Sequence, residues 1–246
     1  GSSAEQAVKQ GAEQTAAEPA ILDAATLQAL RAVLQHPQLD AAFKELVLTL
    51  PAEDEIAEAM GQNVNPQHIK QISHHLRQQV ALALYADWQD IYAAHSYTGA
   101  YQPDPVSSGR RALANLALAN LCRAAHATGD VIWPGKAYQR SKTATNMTDR
   151  IGAIKALLEC QSPLAQQALK RFHAAFKDDA LVIDKWFALQ AAAPDVQGSV
   201  LPAVKALLKH PDFVLKNPNR ARSLVFTYCN ANPGGLHRLD AAGHIF

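Results

Sequence analysis

"NPQHIKQISHHLRQQVALALYADWQDIYAAH", residues 65–95, decides how the chain is read. It opens on Asn65 and Pro66, a capping side chain followed by a residue with no N–H to lose at the first helical position. Ile69, Ile72, Leu76, Val80, Leu84, Trp88 and Ile91 follow at spacings of three and four. That is the period of a helix with one buried face. Run unbroken, such a helix would span roughly 45 Å.

Working outward, the same period recurs almost everywhere. Toward the N-terminus it predicts shorter helices near 25–36, 40–49 and 52–60. The last carries Glu53, Asp54 and Glu55 in its first turn, where the helix dipole favours anions. Toward the C-terminus "GAYQPDPVSSG" (99–109) reads as a loop of turn residues. Helices are then expected at 110–127, ended by Gly129, at 131–142, and at 147–159, where "NMTD" offers an Asn146 cap. Others are expected at 163–177, 179–191, 199–209 and 218–230, joined by short turns such as "QSP" and "KDD". No stretch alternates as a strand does, so the chain is predicted to be all-α.

Short connections make successive helices antiparallel neighbours, and there are too many for one bundle. The expected architecture is an α-solenoid, an α–α superhelix of antiparallel helix pairs that looks truncated at its C-terminal end. "AVLQHP" (32–37) echoes "ALLKHP" (206–211), but no fixed period survives, so any repeats are degenerate. Residues 1–17 are read as a flexible leader whose "GSS" is a cloning scar, and 18–246 as one helical-repeat domain.

Composition agrees. Hydrophobic residues make up 48% of 246, much of it alanine, with 12 glycines and 7% aromatics, a mix that suits close-packed helices. Lys+Arg 23 against Asp+Glu 22 gives a formal charge of +1, which supplies no field for nucleic acid or an anionic membrane. Cys122, Cys160 and Cys229 form no CxxC and read as reduced thiols of a cytoplasmic protein. No apolar run approaches the roughly 20 residues that span a bilayer, and no signal peptide is recognisable.

Candidates for chemistry are few. His74 and His75 are adjacent, so on a helix they diverge by about 100° and cannot share a metal as an i, i+4 pair can. Cys160 and His173 can be imagined as thiol and base, but nothing local activates either; a buried or capping-region cysteine is the simpler reading. Asp178 and Asp179 open a helix and need no further role. "ANPGGLH" (231–237) reads as a turn rather than a phosphate cradle. "LVIDKWFALQ" (181–190) puts Val182, Trp186, Phe187 and Leu189 on a buried face with Asp184 and Lys185 between them, which reads as core plus a structural ion pair. "NPNRARSLVF" (217–226) raises the sharpest question. Asn217 and Pro218 start a helix, yet Arg220 and Arg222 then fall where the dipole disfavours cations by roughly 0.3–1 kcal/mol each. The two lie about 200° apart around the helix. Pairing with a neighbouring carboxylate and service at a site both remain open for them.

Three stretches in order, "NMTDR" (146–150), "LVIDKWFALQ" (181–190) and "HPDFVLKNPNRARSL" (210–224), closely resemble the C-terminal helical domain of bacterial aminopeptidase N, a gluzincin zinc metallopeptidase. "NPGGLHRLDAAGHIF" (232–246) is similar too, although the family usually has an aromatic residue at His244. The resemblance covers most of the chain from about residue 25. It implies a non-catalytic domain that covers the active-site chamber of an enzyme removing N-terminal amino acids from peptides. The zinc, its H-E-x-x-H-x18-E motif and the G-x-M-E-N motif would belong to an upstream catalytic domain, this domain's partner. Neither motif occurs here, so the resemblance assigns no catalytic residue and no metal to this chain. It makes Asn146, Asp149, Asp184, Trp186, Asn217, Asn219 and Arg220 structural, and turns Arg222 toward the chamber, against a peptide carboxylate or acids of the wall. The competing expectation is a free-standing α-solenoid adaptor that binds a partner peptide along its concave face.

Overall fold

The computed structural model describes residues 21–61, 64–97 and 99–236; the expected leader and the segment around His244 lie outside them. Within these limits every regular element is helical and no strand occurs. In chain order they are α1 (Ala24–Gln35), α2 (Ala41–Leu48), α3 (Glu53–Met60), α4 (Pro66–Ala83), α5 (Tyr85–His95), α6 (Pro105–Thr128), α7 (Ile132–Thr143), α8 (Met147–Glu159), α9 (Leu164–Phe176), α10 (Ala180–Ala191) and α11 (Val200–Leu207). The last run divides into α12 (Pro218–Ala221), a π-helical turn (Arg222–Phe226), α13 (Thr227–Ala231) and α14 (Pro233–Leu236). None of the described helices is long and apolar enough to cross a membrane.

The long helix expected over 65–95 is broken at Leu84, where φ is −107° and ψ is 24°. The cause is a side chain entering the backbone ladder. The Val80 carbonyl accepts from the Leu84 amide at 3.2 Å and also faces the indole Nε1–H of Trp88 at 3.4 Å. A carbonyl shared this way tilts out of the helix and bends it. The apolar period continues through the bend, which is why the sequence hides it. The loop expected at 99–109 is also shorter than read. Asp104 caps α6 by accepting the Ser107 amide at 2.9 Å, and Pro105 occupies the first turn. "DPVSSG" is therefore a helix start, not a turn.

Helix α6 is the hub of the first half and packs against α2, α4, α5, α7 and α8. Its Leu113, Ala114, Ala117, Leu118, Leu121 and Cys122 are wholly buried. The alanines let five neighbours approach closely, and Gly129 ends the helix at φ +75°, a conformation glycine adopts without strain. Helix α10 is the hub of the second half, touching α8, α9, α11, α12, the π turn and α13.

The two halves also meet far from the chain's middle. Helix α14 packs on α4 and α13 on α3. There Lys70 Nζ donates to the Asp195 carbonyl and lies 3.6 Å from its carboxylate. The Asp195 amide donates to Asn232 Oδ1 at 3.2 Å, while Asn232 Nδ2 donates to the carbonyls of Ala191 (2.9 Å) and Ala193 (3.1 Å). Asp195 Oδ1 in turn accepts the Val200 amide at 3.0 Å, at the start of α11. "ANPGG" is thus a short helix held by a buried polar knot, where sequence indicated only a turn.

Two helical glycines should respond oppositely to alanine. A Cβ on Gly109 would sit 2.9 Å from both Ala42 Cβ and the Ala42 amide nitrogen, so α2 and α6 would have to separate. We expect Gly109→Ala to cost about 1–3 kcal/mol. A Cβ on Gly135 meets nothing within 4 Å, so Gly135→Ala should stabilise by about 0.5–1 kcal/mol. Urea unfolding of the two variants reads both signs.

Candidate functional site

The densest group of ionisable and aromatic side chains lies where α9, α10, the 208–217 connection and α12 converge. Asp179 starts α10 by accepting the amides of Leu181 (3.1 Å) and Val182 (3.2 Å). From that helix Trp186 and Phe187 turn inward; the Trp186 indole donates to the Leu169 carbonyl of α9 at 3.0 Å. Asp184, one turn earlier, is also buried. Lys185 beside it is exposed, and the ion pair of Asp184 is made elsewhere, with Arg220.

Asn217 starts α12 with its side chain, Oδ1 accepting the amides of Asn219 (3.0 Å) and Arg220 (3.3 Å). Asn219 is exposed and contributes only its backbone to this cap. Arg220 is 6% exposed, and every face of its guanidinium is occupied. Its Nε donates to Asp184, one terminal nitrogen to the Asp212 carbonyl, and the other to the Ala180 carbonyl at 3.3 Å. The Phe187 ring centroid lies 5.1 Å from its central carbon. Arg220 thus ties the 208–217 connection to the first turns of α10. Such bonds outweigh the dipole penalty of an arginine at a helix start.

Arg222 stands apart. It is exposed, and its side chain makes no ion pair or hydrogen bond among the described residues. It opens the π-helical turn, whose Thr227 amide and hydroxyl both return to the Arg222 carbonyl, the hydroxyl at 3.3 Å. One residue is added there to the helical ladder, a device that re-aims side chains and recurs at functional sites.

The other motif residues form a separate knot. Asn146 Oδ1 accepts the Asp149 amide at 2.8 Å, capping α8, and its Nδ2 donates to Asp149 Oδ2 at 2.9 Å. Asp149, 3% exposed, pairs with Arg140 of α7 at 3.0 Å and accepts from Asn115 of α6 at 3.3 Å. Three helices, α6, α7 and α8, thus meet on one carboxylate, and Arg140 carries the network on by donating to Ser96 at 2.7 Å. The geometry is that of a staple between helices.

Cys160 and His173 are not a pair. Cys160 caps α8, 3% exposed, and its hydrogen bond with Cys122, together with burial, pushes the Cys122 thiol up. His173 bonds instead to Asp212 at 2.5 Å. Sequence reasoning assigned nothing to His210 or Asp212, although both lie in a stretch it singled out. The H-x-D spacing was the available signal. His74 is exposed and His75 half-buried on α4.

Breaking the buried pair gives a clear test. Asp184→Ala strands the Arg220 charge and should cost about 3–5 kcal/mol, whereas Asp184→Leu with Arg220→Met should recover most of that loss. Lys185→Ala should change stability by less than about 0.5 kcal/mol. Urea denaturation of the three variants measures all of these.

Comparison with known proteins adds the following. The family described as "Domain of unknown function (DUF3458_C) ARM repeats" matches residues 2–246. Aminopeptidase N of Caulobacter vibrioides is 34% identical over 218 residues, covering 89% of this chain and 24% of that relative. Aminopeptidase N of Escherichia coli is 31% identical over 229 residues, covering 93% and 25%. The chain therefore spans about a quarter of the length of these curated relatives and corresponds to their C-terminal end. Among solved structures, Legionella pneumophila aminopeptidase A in complex with aspartic acid matches at a TM-score of 0.73 and 22% identity, over 86% of this chain and 25% of that one. At that identity the likeness shows the fold.

Proposed function

The chain belongs to the DUF3458_C family of ARM repeats, and from that premise we propose that it is the non-catalytic C-terminal domain of a zinc-dependent aminopeptidase. In this reading the parent enzyme is a cytoplasmic metallopeptidase that removes N-terminal residues from peptides in peptide catabolism. The zinc and the catalytic groups belong to the upstream domain. This chain contains neither H-E-x-x-H nor G-x-M-E-N, and no residue of it is assigned to that metal. Its work is to cover the active-site chamber, limit entry to peptides, and present charge from the wall.

The observation that carries the proposal is the asymmetry of Arg220 and Arg222. Two arginines two residues apart share one anchored helix start, yet one is buried on Asp184 and the other is exposed without a partner among the described residues. The buried one fixes the backbone from which the exposed one projects. Because the backbone beneath Arg222 is already fixed, a contact between its guanidinium and a carboxylate has only side-chain rotamers left to order, which favours a useful electrostatic contact.

Two measurements test this. Alone, the chain should not hydrolyse aminoacyl anilides, and it should bind the separately produced catalytic domain of the same polypeptide. In the full-length parent, Arg222→Ala should lower kcat/KM by about 1–2 kcal/mol, roughly 5- to 30-fold, with little change in Tm. An unchanged kcat/KM would remove Arg222 from the chamber. Failure to bind the catalytic domain, with capture of an unrelated peptide partner, would favour the adaptor reading.

A further inference from the structure

His173, His210 and Asp212 come together from two segments, the C-terminal half of α9 and the connection before α12. Their three candidate donor atoms lie within 4.8 Å of one another. His173 Nε2 is 2.5 Å from Asp212 Oδ2, and His210 Nδ1 is 3.8 Å from the same oxygen. We propose that these three side chains form a binding site for one divalent first-row transition metal ion of the zinc type. It is independent of the aminopeptidase reading.

Side-chain adjustment of the order of an ångström would bring the three donors onto one ion. Zinc holds nitrogen and oxygen donors at about 2.0–2.2 Å, which places tetrahedral donor atoms roughly 3.3 Å apart. The two His–Asp separations fall on either side of that value, so one opens and the other closes, while the two imidazole nitrogens, within 4.8 Å of each other, draw together on the ion. As the metal takes His173 Nε2, the neutral imidazole carries its proton on Nδ1 instead of between Nε2 and Asp212, and His210 Nδ1 exchanges the bond it accepts from the Asp212 amide at 3.1 Å for the metal.

The surroundings support such a site in three ways. First, the rings are held in place. Trp186 packs against His173 at 4.8 Å and against His210 at 5.1 Å between ring centroids, and Phe187 meets His210 at 5.8 Å. Second, ions have access. The three side chains remain 25%, 28% and 36% exposed, which leaves the fourth position open to water or a further ligand. Third, the charge is suitable. Two neutral imidazoles and one carboxylate carry one negative charge, and the nearby cation Arg220 is already matched by Asp184. Imidazole donors select zinc, copper, nickel or iron over magnesium and calcium. A bound ion would clamp α9 to the connection whose next residues include Arg220 and Arg222.

The test uses this chain after chelator treatment and dialysis. Isothermal titration with zinc sulfate should show one saturable equivalent. Cobalt(II) should give the intense visible d–d bands of a four-coordinate site. The shape-preserving variants His173→Gln and Asp212→Asn, and His210→Ala, should each weaken zinc binding at least tenfold. His74→Ala with His75→Ala should leave it unchanged. Circular dichroism identifies folded variants, and the two isosteric ones keep the test decisive if His210→Ala unfolds. The proposal is overturned by the absence of a saturable equivalent. It is equally overturned if binding survives in His173→Gln and Asp212→Asn, or disappears with the His74/His75 pair.

Discussion

A guanidinium cannot be buried without an answer to its charge, and the second half of this molecule is arranged around that requirement. Arg220 is set into the fold by Asp184, two backbone carbonyls and the face of Phe187. The partners come from two segments: Asp184, Phe187 and the Ala180 carbonyl from α10, and the Asp212 carbonyl from the connection before α12. Fixing one side chain therefore fixes the relation of three segments. The positions of His210, Asp212 and Arg222 all follow from it. A pair of this kind contributes little net stability beyond what an apolar pair would. What it supplies is a single arrangement, because any slip of α12 along α10 leaves a bare charge in the core.

The same logic appears twice more. Asp149 gathers Asn146, Arg140 and Asn115 where α6, α7 and α8 meet, and Asp195 gathers Lys70, Asn232 and the start of α11. Between these points the contact surfaces are mainly alanine and leucine, which pack well but in many registers. Polar knots at the seams remove that freedom. An alanine-rich helical array gains its density from small side chains and its uniqueness from a few buried carboxylates.

The helices were legible because burial on one face leaves a period in the sequence, and their caps were legible at Asn65, Asn146 and Asn217. The all-helical, repeat-like architecture follows from these alone. The bend at Leu84 was not legible, since it depends on the indole of Trp88 reaching back to a carbonyl two turns earlier. The start of α6 was misread because proline, serine and glycine serve turns and first helical turns alike; only the Asp104 side chain distinguishes them. At the candidate site, Trp186 and the two arginines stood out by residue type. The partner of Asp184 did not, because the nearest lysine in sequence is not the nearest cation in space. His173 and Asp212 are 39 residues apart, beyond any local pattern; the packing of α9 on α10 and the tie of the Asp212 carbonyl to Arg220 place them side by side.

An open array of helical pairs ordinarily forms by neighbour adding to neighbour, and any stretch of it holds without the rest. The seam between α4 and α14 departs from that rule, since Lys70 and Asp195 are 125 residues apart. During synthesis, α6 can gather α2, α4, α5, α7 and α8 soon after it leaves the ribosome, while the exposed flank of α4 stays wet until α14 emerges. The contact between α4 and α14 is thus among the last of the described ones that the order of synthesis allows, and it ties distant helices that neighbour-to-neighbour packing alone would leave independent.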